Sequence, residues 1–216
     1  MRVYVRSWSV EGRENIPASG GAILVSNHLN NADPCVIPGV APRRVVTMAK
    51  QEMFRWPGLN LLFRLFGAFP VDRRGADLAA LREAQNVIKD GNLLLMFPEG
   101  TRSKDRQLHR GFPGTALIAY RTGAPIIPIA VTGTEHVPWP WVFVRPLMVK
   151  HIKIVFGEPF YPPKAERITT QQAKDATDDI MRHIAALLPE EYRGEYRDDV
   201  AKRERDAPEL RARERT

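Results

Sequence analysis

The run Ala22-Ile23-Leu24-Val25-Ser26-Asn27-His28-Leu29-Asn30-Asn31-Ala32-Asp33 opens on four consecutive apolar residues and closes on a carboxylate five positions after a histidine. Short, unbroken and preceded by the turn formers Gly20-Gly21, Ala22 to Val25 reads as a buried strand that delivers His28 to its carboxyl end. A histidine partnered by an aspartate is one way to build a general base near neutral pH. On one continuous helix, positions five apart lie about 140° apart, so the two side chains meet only if the chain turns between them. Asn30 and Asn31 favour such a turn, and Pro34 suits the first turn of a following helix. Taken alone, a His/Asp pair also suits a purely structural role.

Outward from that run, strands and helices alternate. Arg2 to Trp8 reads as a first strand and Arg43 to Met48 as another. Trp56-Pro57 opens a short apolar helix, Gly58 to Phe66, ended by Gly67. Asp77 to Lys89 is amphipathic, with Leu78, Leu81, Ala84 and Ile88 along one face and Gly91 beyond its end. Leu93-Leu94-Leu95-Met96-Phe97 reads as a second buried strand. Gly114 to Arg121 is a helix capped by Gly123, and it leads into Ile126 to Val131, a strand whose Pro128 suggests an edge or a bulge. Val149 to Phe156 alternates, with Ile152, Ile154 and Phe156 on one face, and Thr170 to Leu188 is a long final helix. This order predicts an α/β fold: one domain, a mixed sheet flanked by helices, spanning residues 1–189. Residues 190–216 are a dense mixture of opposite charges, expected as a charged tail, helical or disordered.

A chain of 216 residues with 44% hydrophobic content buries one good core. Its single cysteine, Cys35, allows no internal disulfide and no cysteine-based metal site, and reads as a small buried filler rather than a nucleophile. The five histidines (28, 109, 136, 151, 183) are scattered, so no metal is expected. No secretory signal is visible, and apolar stretches are broken by Arg55, Arg64 or proline before the roughly 20 residues needed to span a bilayer. The net charge of +7 is uneven: residues 190–216 hold eight basic and nine acidic side chains, which leaves +8 on the body. Anionic ligands, acidic carrier proteins and anionic lipid surfaces suit that field. Nucleic acid is not expected, since no recognition-helix, zinc or RNA-binding motif accompanies the charge.

Two further motifs carry chemistry. Gly67-Ala68-Phe69-Pro70-Val71-Asp72-Arg73-Arg74 ends an apolar segment on adjacent guanidinium groups, which bind phosphate bidentately or simply lie solvated at the surface. Phe97-Pro98-Glu99-Gly100-Thr101-Arg102-Ser103 follows a buried strand directly, where α/β proteins bind ligands. Gly100 permits close backbone approach, Thr101 and Ser103 bring hydroxyls, and Arg102 brings a fixed cation. The spacing is not that of a nucleotide P-loop.

Together, Asn27-His28-x4-Asp33, Gly67-x-Phe69-Pro70-Val71-Asp72-Arg73, Phe97-Pro98-Glu99-Gly100-Thr101-Arg102-Ser103 and Ile126-Ile127-Pro128-Ile129 resemble the four ordered blocks of the glycerolipid acyltransferases. The 1-acyl-sn-glycerol-3-phosphate acyltransferases are the best-known branch. The resemblance covers roughly Trp8 to Pro159 and is specific because all four blocks occur in order. Many members carry serine where Asn30 stands, and many begin with membrane-embedding helices, whereas here almost nothing precedes the first strand. A soluble protein or reversible membrane association, rather than tight anchoring, is therefore expected.

The resemblance implies transfer of a fatty acyl group from a thioester to the free hydroxyl of 1-acyl-sn-glycerol 3-phosphate, giving phosphatidate. It makes His28 the general base and Asp33 its orienting partner. Arg73, with Glu99, Gly100, Thr101 and Arg102, would hold the glycerol phosphate. Glu99, an anion, is expected to brace Arg73, Arg102 or the loop backbone, and N–H groups near Gly100 are expected to face the oxyanion. Ile126 to Ile129 would lie beside acyl substituents or form core. No cofactor is implied; acyl-CoA or acyl carrier protein serves as donor substrate. Phe54, Trp56, Leu59, Leu62, Phe63 and Phe66, interleaved with Lys50, Arg55 and Arg64, resemble an interfacial segment, and Trp139, Trp141 and Phe143 beside Arg145 a second one. A cytoplasmic protein peripherally bound to an anionic membrane follows. The competing readings are acylation of another lysophospholipid or a glycolipid, and a catalytically silent lipid-binding protein on the same scaffold.

Overall fold

The computed structural model describes residues 8–50, 68–71, 78–137, 151–163, 165 and 167–213. Most of the expected first strand, the expected helix over 58–66, both aromatic segments and Arg73 lie outside them. The described chain forms strands β1 (Trp8–Glu11), β2 (Ala22–Ser26), β3 (Val45–Lys50), β4 (Ala68–Val71), β5 (Leu93–Met96), β6 (Ile126–Thr132) and β7 (Ile152–Phe156). Its helices are α1 (Asp33–Val40), α2 (Leu78–Lys89), α3 (Gly114–Thr122), α4 (Thr170–Leu187) and α5 (Arg197–Arg213).

The strands make one mixed sheet in the order β1-β7-β6-β2-β5-β3-β4. Every neighbouring pair is parallel except β6 with β7. Strand β2 is central, with β5 on one side and β6 on the other, so the crevice where connections diverge opens past its carboxyl end. That is where His28 stands.

Both sheet faces are covered, which is why β2, β5 and β6 are apolar without alternation. Ile23, Val25, Leu94 and Ala130 face α2, α3 and α4 through Ala84, Ile88, Ala116, Ala119, Ile180 and Ile184. Leu24, Leu93, Leu95, Ile127 and Ile129 face α1 through Ile37. Burying each such aliphatic side chain is worth about 1.5–3 kcal/mol. Next to the edge strand β1, β7 has one buried face, Ile152, Ile154 and Phe156, as its alternation predicted. Helix α4 starts on a capping box in which Thr169 and Gln172 satisfy each other's backbone N–H groups.

One expectation is corrected. Pro128 marks neither an edge nor a bulge: β6 is internal, paired in unslipped register with β2 and β7. The β7 ladder begins at Ile129 opposite Phe156, so the donor that proline lacks falls where β7 has ended, and its carbonyl still accepts Gly157 N–H at 2.8 Å. The segment 190–216, expected as a charged tail, helical or disordered, is helical in its described part. Two 3-10 turns, Glu190–Tyr192 and Gly194–Tyr196, lead into α5, and Tyr196 and Val200 are buried in the core.

Candidate active site

The chain leaves β2 and turns within a few residues. Asn27 continues the ladder with its side chain: its Nδ2 donates to Val131 O and its Oδ1 accepts Val131 N–H, both at 2.8 Å. Asn30 Oδ1 accepts the Ala32 N–H at 3.0 Å, an Asx turn, and Asn30 Nδ2 donates to Val137 O at 3.0 Å. The turn ends in α1, which opens on Asp33 with Pro34 next, so the carboxylate lies at the helix's positive end.

This turn unites His28 and Asp33. His28 Nδ1 lies 2.8 Å from Asp33 Oδ2, and that oxygen also accepts the N–H groups of Leu29 at 2.7 Å and Asn30 at 2.8 Å. Three donors therefore converge on one atom of a side chain with no exposed surface. The ring stacks on Phe97, centroids 4.1 Å apart and planes 23° from parallel. With Nδ1–H given to Asp33, the neutral imidazole keeps its lone pair at Nε2, where it can accept a proton.

Glu99 stands behind the histidine rather than beside it. Oε1 accepts the His28 N–H at 3.0 Å, and Oε2 accepts the His109 N–H at 3.2 Å. Ser103 N–H donates to His28 O at 2.8 Å, so both polar backbone groups of His28 are held by the Phe97–Ser103 loop. Of that loop, Thr101 and Arg102 are exposed and Glu99 is 2% exposed. Gly100 has φ +65, and a Cβ there would lie 3.0 Å from the Phe112 ring, so the turn needs glycine. The Gly100 N–H is spent on Phe97 O at 3.0 Å, not presented to an oxyanion. Ile126 and Ile129 are buried core. Sequence reasoning missed Phe97 as the ring's stacking partner and His109 as a donor to Glu99. The adjacency of Phe97 to the strand end was the one available signal.

Burial pushes the Glu99 carboxyl up to about 7 from its ordinary 4.5, against the His109 and His28 N–H groups, which pull it down. Between pH 4.5 and about 7 the unfolded chain thus loses a proton that the folded chain keeps, and stability falls as pH rises through that window. The full penalty, reached above the window, is about 3 kcal/mol. Glu99→Gln should abolish this component. Urea unfolding at pH 5 and pH 8 would show the variant's stability relative to wild type rising by up to about 3 kcal/mol at the higher pH; an unchanged difference would refute it.

A buried His/Asp pair at the carboxyl ends of a mixed α/β sheet, with a cationic hydroxyl-bearing loop anchored to the histidine's backbone, defines a site suited to proton abstraction next to an anion. Comparison with known proteins gives the site its family. The Acyltransferase family model matches residues 7–132, more than half of the chain, and the protein belongs to that family. It is similar to the 1-acyl-sn-glycerol-3-phosphate acyltransferase of Bacillus subtilis (30% identity, covering 70% of this chain and 73% of that one). A relative of the same name from Limnanthes douglasii is 38% identical over 55% of this chain and 43% of its own length. The chain spans about half the length of the curated relatives that head the comparison, 43% and 52% in two cases. The crystal structure of the 1-acyl-sn-glycerophosphate acyltransferase PlsC from Thermotoga maritima superposes with a TM-score of 0.62 at 28% identity, covering 80% of this chain and 68% of that one. Among the described residues, no helix is long and apolar enough to cross a membrane, and no group of three His, Cys, Asp or Glu side chains is placed to hold a metal.

Proposed function

We propose that this protein acylates the free hydroxyl of 1-acyl-sn-glycerol 3-phosphate from an acyl thioester, giving phosphatidate. The observation that carries the reading is the 2.8 Å His28–Asp33 contact, locked by two backbone N–H groups beside the Glu99-Gly100-Thr101-Arg102 loop. The acceptor hydroxyl gives its proton to His28 Nε2 as its oxygen attacks the thioester carbonyl. The tetrahedral intermediate collapses, the carbon–sulfur bond breaks, and the imidazolium returns the proton to the departing thiolate. Asp33 holds the Nδ1–H tautomer and stabilises the imidazolium. No acyl-enzyme forms, because the acceptor's own oxygen is the nucleophile, and the chemistry draws on no cofactor.

Arg102, with Arg73, neutralises the acceptor's phosphate, and Thr101 adds a hydroxyl donor. Glu99 acts from behind, fixing the backbones of His28 and His109 rather than meeting an anion of its own sign. The donor is acyl-CoA or acyl carrier protein; both suit the basic body, as does peripheral attachment to the cytoplasmic face of an anionic membrane. The test is thiol release from both donors against lysophosphatidate, lysophosphatidylcholine, a glycolipid and monoacylglycerol, with and without anionic vesicles. Lysophosphatidate should be preferred by at least about tenfold, the factor expected from one charge-assisted phosphate contact worth about 1.5 kcal/mol. Preference for an uncharged acceptor, or vesicle binding with no turnover for any pair, overturns the reading.

A further inference from the structure

The family match ends at Thr132, yet the candidate site is tied to a segment some sixty residues further on. Between α4 and α5 the chain makes two short turns, Glu190–Tyr192 and Gly194–Tyr196. They grip one buried residue, Leu108, by both backbone groups: Leu108 N–H donates to Tyr192 O at 2.9 Å, and Glu195 N–H donates to Leu108 O at 3.2 Å. The approach depends on Gly194, which has φ +51. A Cβ there would lie 2.2 Å from Leu108 O and 2.7 Å from Leu108 N, closer than a Cβ comes to backbone atoms.

Leu108 is followed by His109, whose N–H holds Glu99 Oε2 while Glu99 Oε1 holds the His28 N–H. A second route leaves from Tyr192. Its hydroxyl donates to Glu135 Oε1 at 2.6 Å, on the short turn that ends at Val137. Val137 O accepts Asn30 Nδ2, and the Asn30 N–H donates to Asp33 Oδ2. The double turn therefore touches two segments, and each continues by hydrogen bonds into one member of the His28–Asp33 pair. Its own footing is firm: Arg193 Nε donates to Leu188 O at 3.0 Å, and buried Tyr196 reaches Asp178 on α4 at 3.2 Å.

We propose that the Pro189–Tyr196 double turn is a positioning clamp for the His28–Asp33 centre, seated through Gly194 and Tyr192. The inference deepens the acyl-transfer reading and rests on it. Its physical content is that the Leu108–His109 and Glu135–Val137 segments set the depth of His28 and the tilt of Asp33. A misplacement of about 1 Å at a reacting centre costs on the order of 10²-fold in rate.

The experiment uses full-length Gly194→Ala and Tyr192→Phe, below their unfolding transitions, with acyl-CoA and lysophosphatidate. Three quantities are read: kcat, KM for the donor, and hydrogen exchange at the backbone amides of His28 and His109. Gly194→Ala should lose about 10–100-fold in kcat with KM within about threefold, and exchange at both amides should accelerate. Tyr192→Phe, which spares the Leu108 grip, should lose about 3–10-fold. A merely structural turn would lower the melting temperature and leave kcat of the folded enzyme unchanged. A folded Gly194→Ala with wild-type kcat and amide protection overturns the clamp. If that variant does not fold, wild-type kcat in Tyr192→Phe overturns it. Should wild type turn over no donor–acceptor pair, the acyl-transfer reading fails instead, and the exchange arm still decides whether the clamp reaches His28.

Discussion

Changing His28 to alanine is expected to lower thiol release from acyl-CoA by about 10²–10⁴-fold, the range a positioned general base supplies. The loss should fall in kcat, since the ring meets the acceptor proton only as the attack proceeds. Folding should survive. Asp33 Oδ2 keeps the Leu29 and Asn30 N–H donors after the imidazole is gone, so no buried carboxylate is stripped of partners. The Glu99 and Ser103 bonds run to the backbone of residue 28 and do not depend on its side chain. The main structural cost is the lost stack on Phe97, about 0.5–1.5 kcal/mol beyond area burial. Steady-state kinetics beside a thermal melt separate the two effects. A cooperative melt a few degrees lower with turnover down by about a hundredfold or more fits the proposal. A variant within about threefold of wild type would show that some other group takes the proton.

How much of this was legible in the sequence depends on the range of each interaction. The buried strands β2 and β5 declared themselves as unbroken apolar runs, because strands covered on both faces have no polar side to show. The His28–Asp33 contact was legible because its parts lie five residues apart and every determinant of the turn is local: the Asn30 Asx turn, Pro34, the two amides on Asp33. Glu99 was legible as a motif residue but not in its partners. The amide it holds at His28 is 71 positions away and the other belongs to a residue outside any motif, and periodicity carries no information about either.

Pro128 shows a local rule overridden by topology. A proline in a strand costs one ladder bond, and here that bond falls at the end of β7, opposite Gly157, whose own N–H the Pro128 carbonyl still accepts. The charged C-terminal segment was legible as a helix or a disordered tail, but not in its anchoring. Its composition is that of a solvated chain, but Tyr196 and Val200 are enough to anchor it, and Gly194 reads as an ordinary turn former until Leu108 is seen against it. Arg102, by contrast, stays exposed as a fixed cation should, on the loop that Ser103 pins to His28.

The second large effect concerns Asp33, where asparagine and alanine should differ. In Ser-His-Asp triads, replacing the aspartate by asparagine costs about 10⁴-fold, because the histidine is left in the wrong tautomer. Here three donors converge on Oδ2, two of them backbone N–H groups that cannot move. An asparagine must therefore turn its amide oxygen to that position, since its NH₂ would meet two N–H groups head-on. The ring keeps its acceptor and its Nδ1–H tautomer, and only the negative charge opposite the imidazolium is lost. A charged hydrogen bond exceeds a neutral one by about 1–2 kcal/mol, so Asp33→Asn should cost about 5–30-fold in kcat. Its NH₂ then takes the place of Oδ1, which is buried with no hydrogen-bond partner among the described residues, at a stability cost of about 1–3 kcal/mol. Asp33→Ala removes the acceptor altogether: the rate loss should approach that of His28→Ala, about 10²–10⁴-fold, and two orphaned amides should cost about 2–5 kcal/mol. Kinetics on both variants, with ¹⁵N spectra of the His28 ring to read its tautomer, decide the matter. Equal losses for asparagine and alanine, or an Nε2–H tautomer in Asp33→Asn, would mean that the backbone amides do not dictate which atom faces the ring.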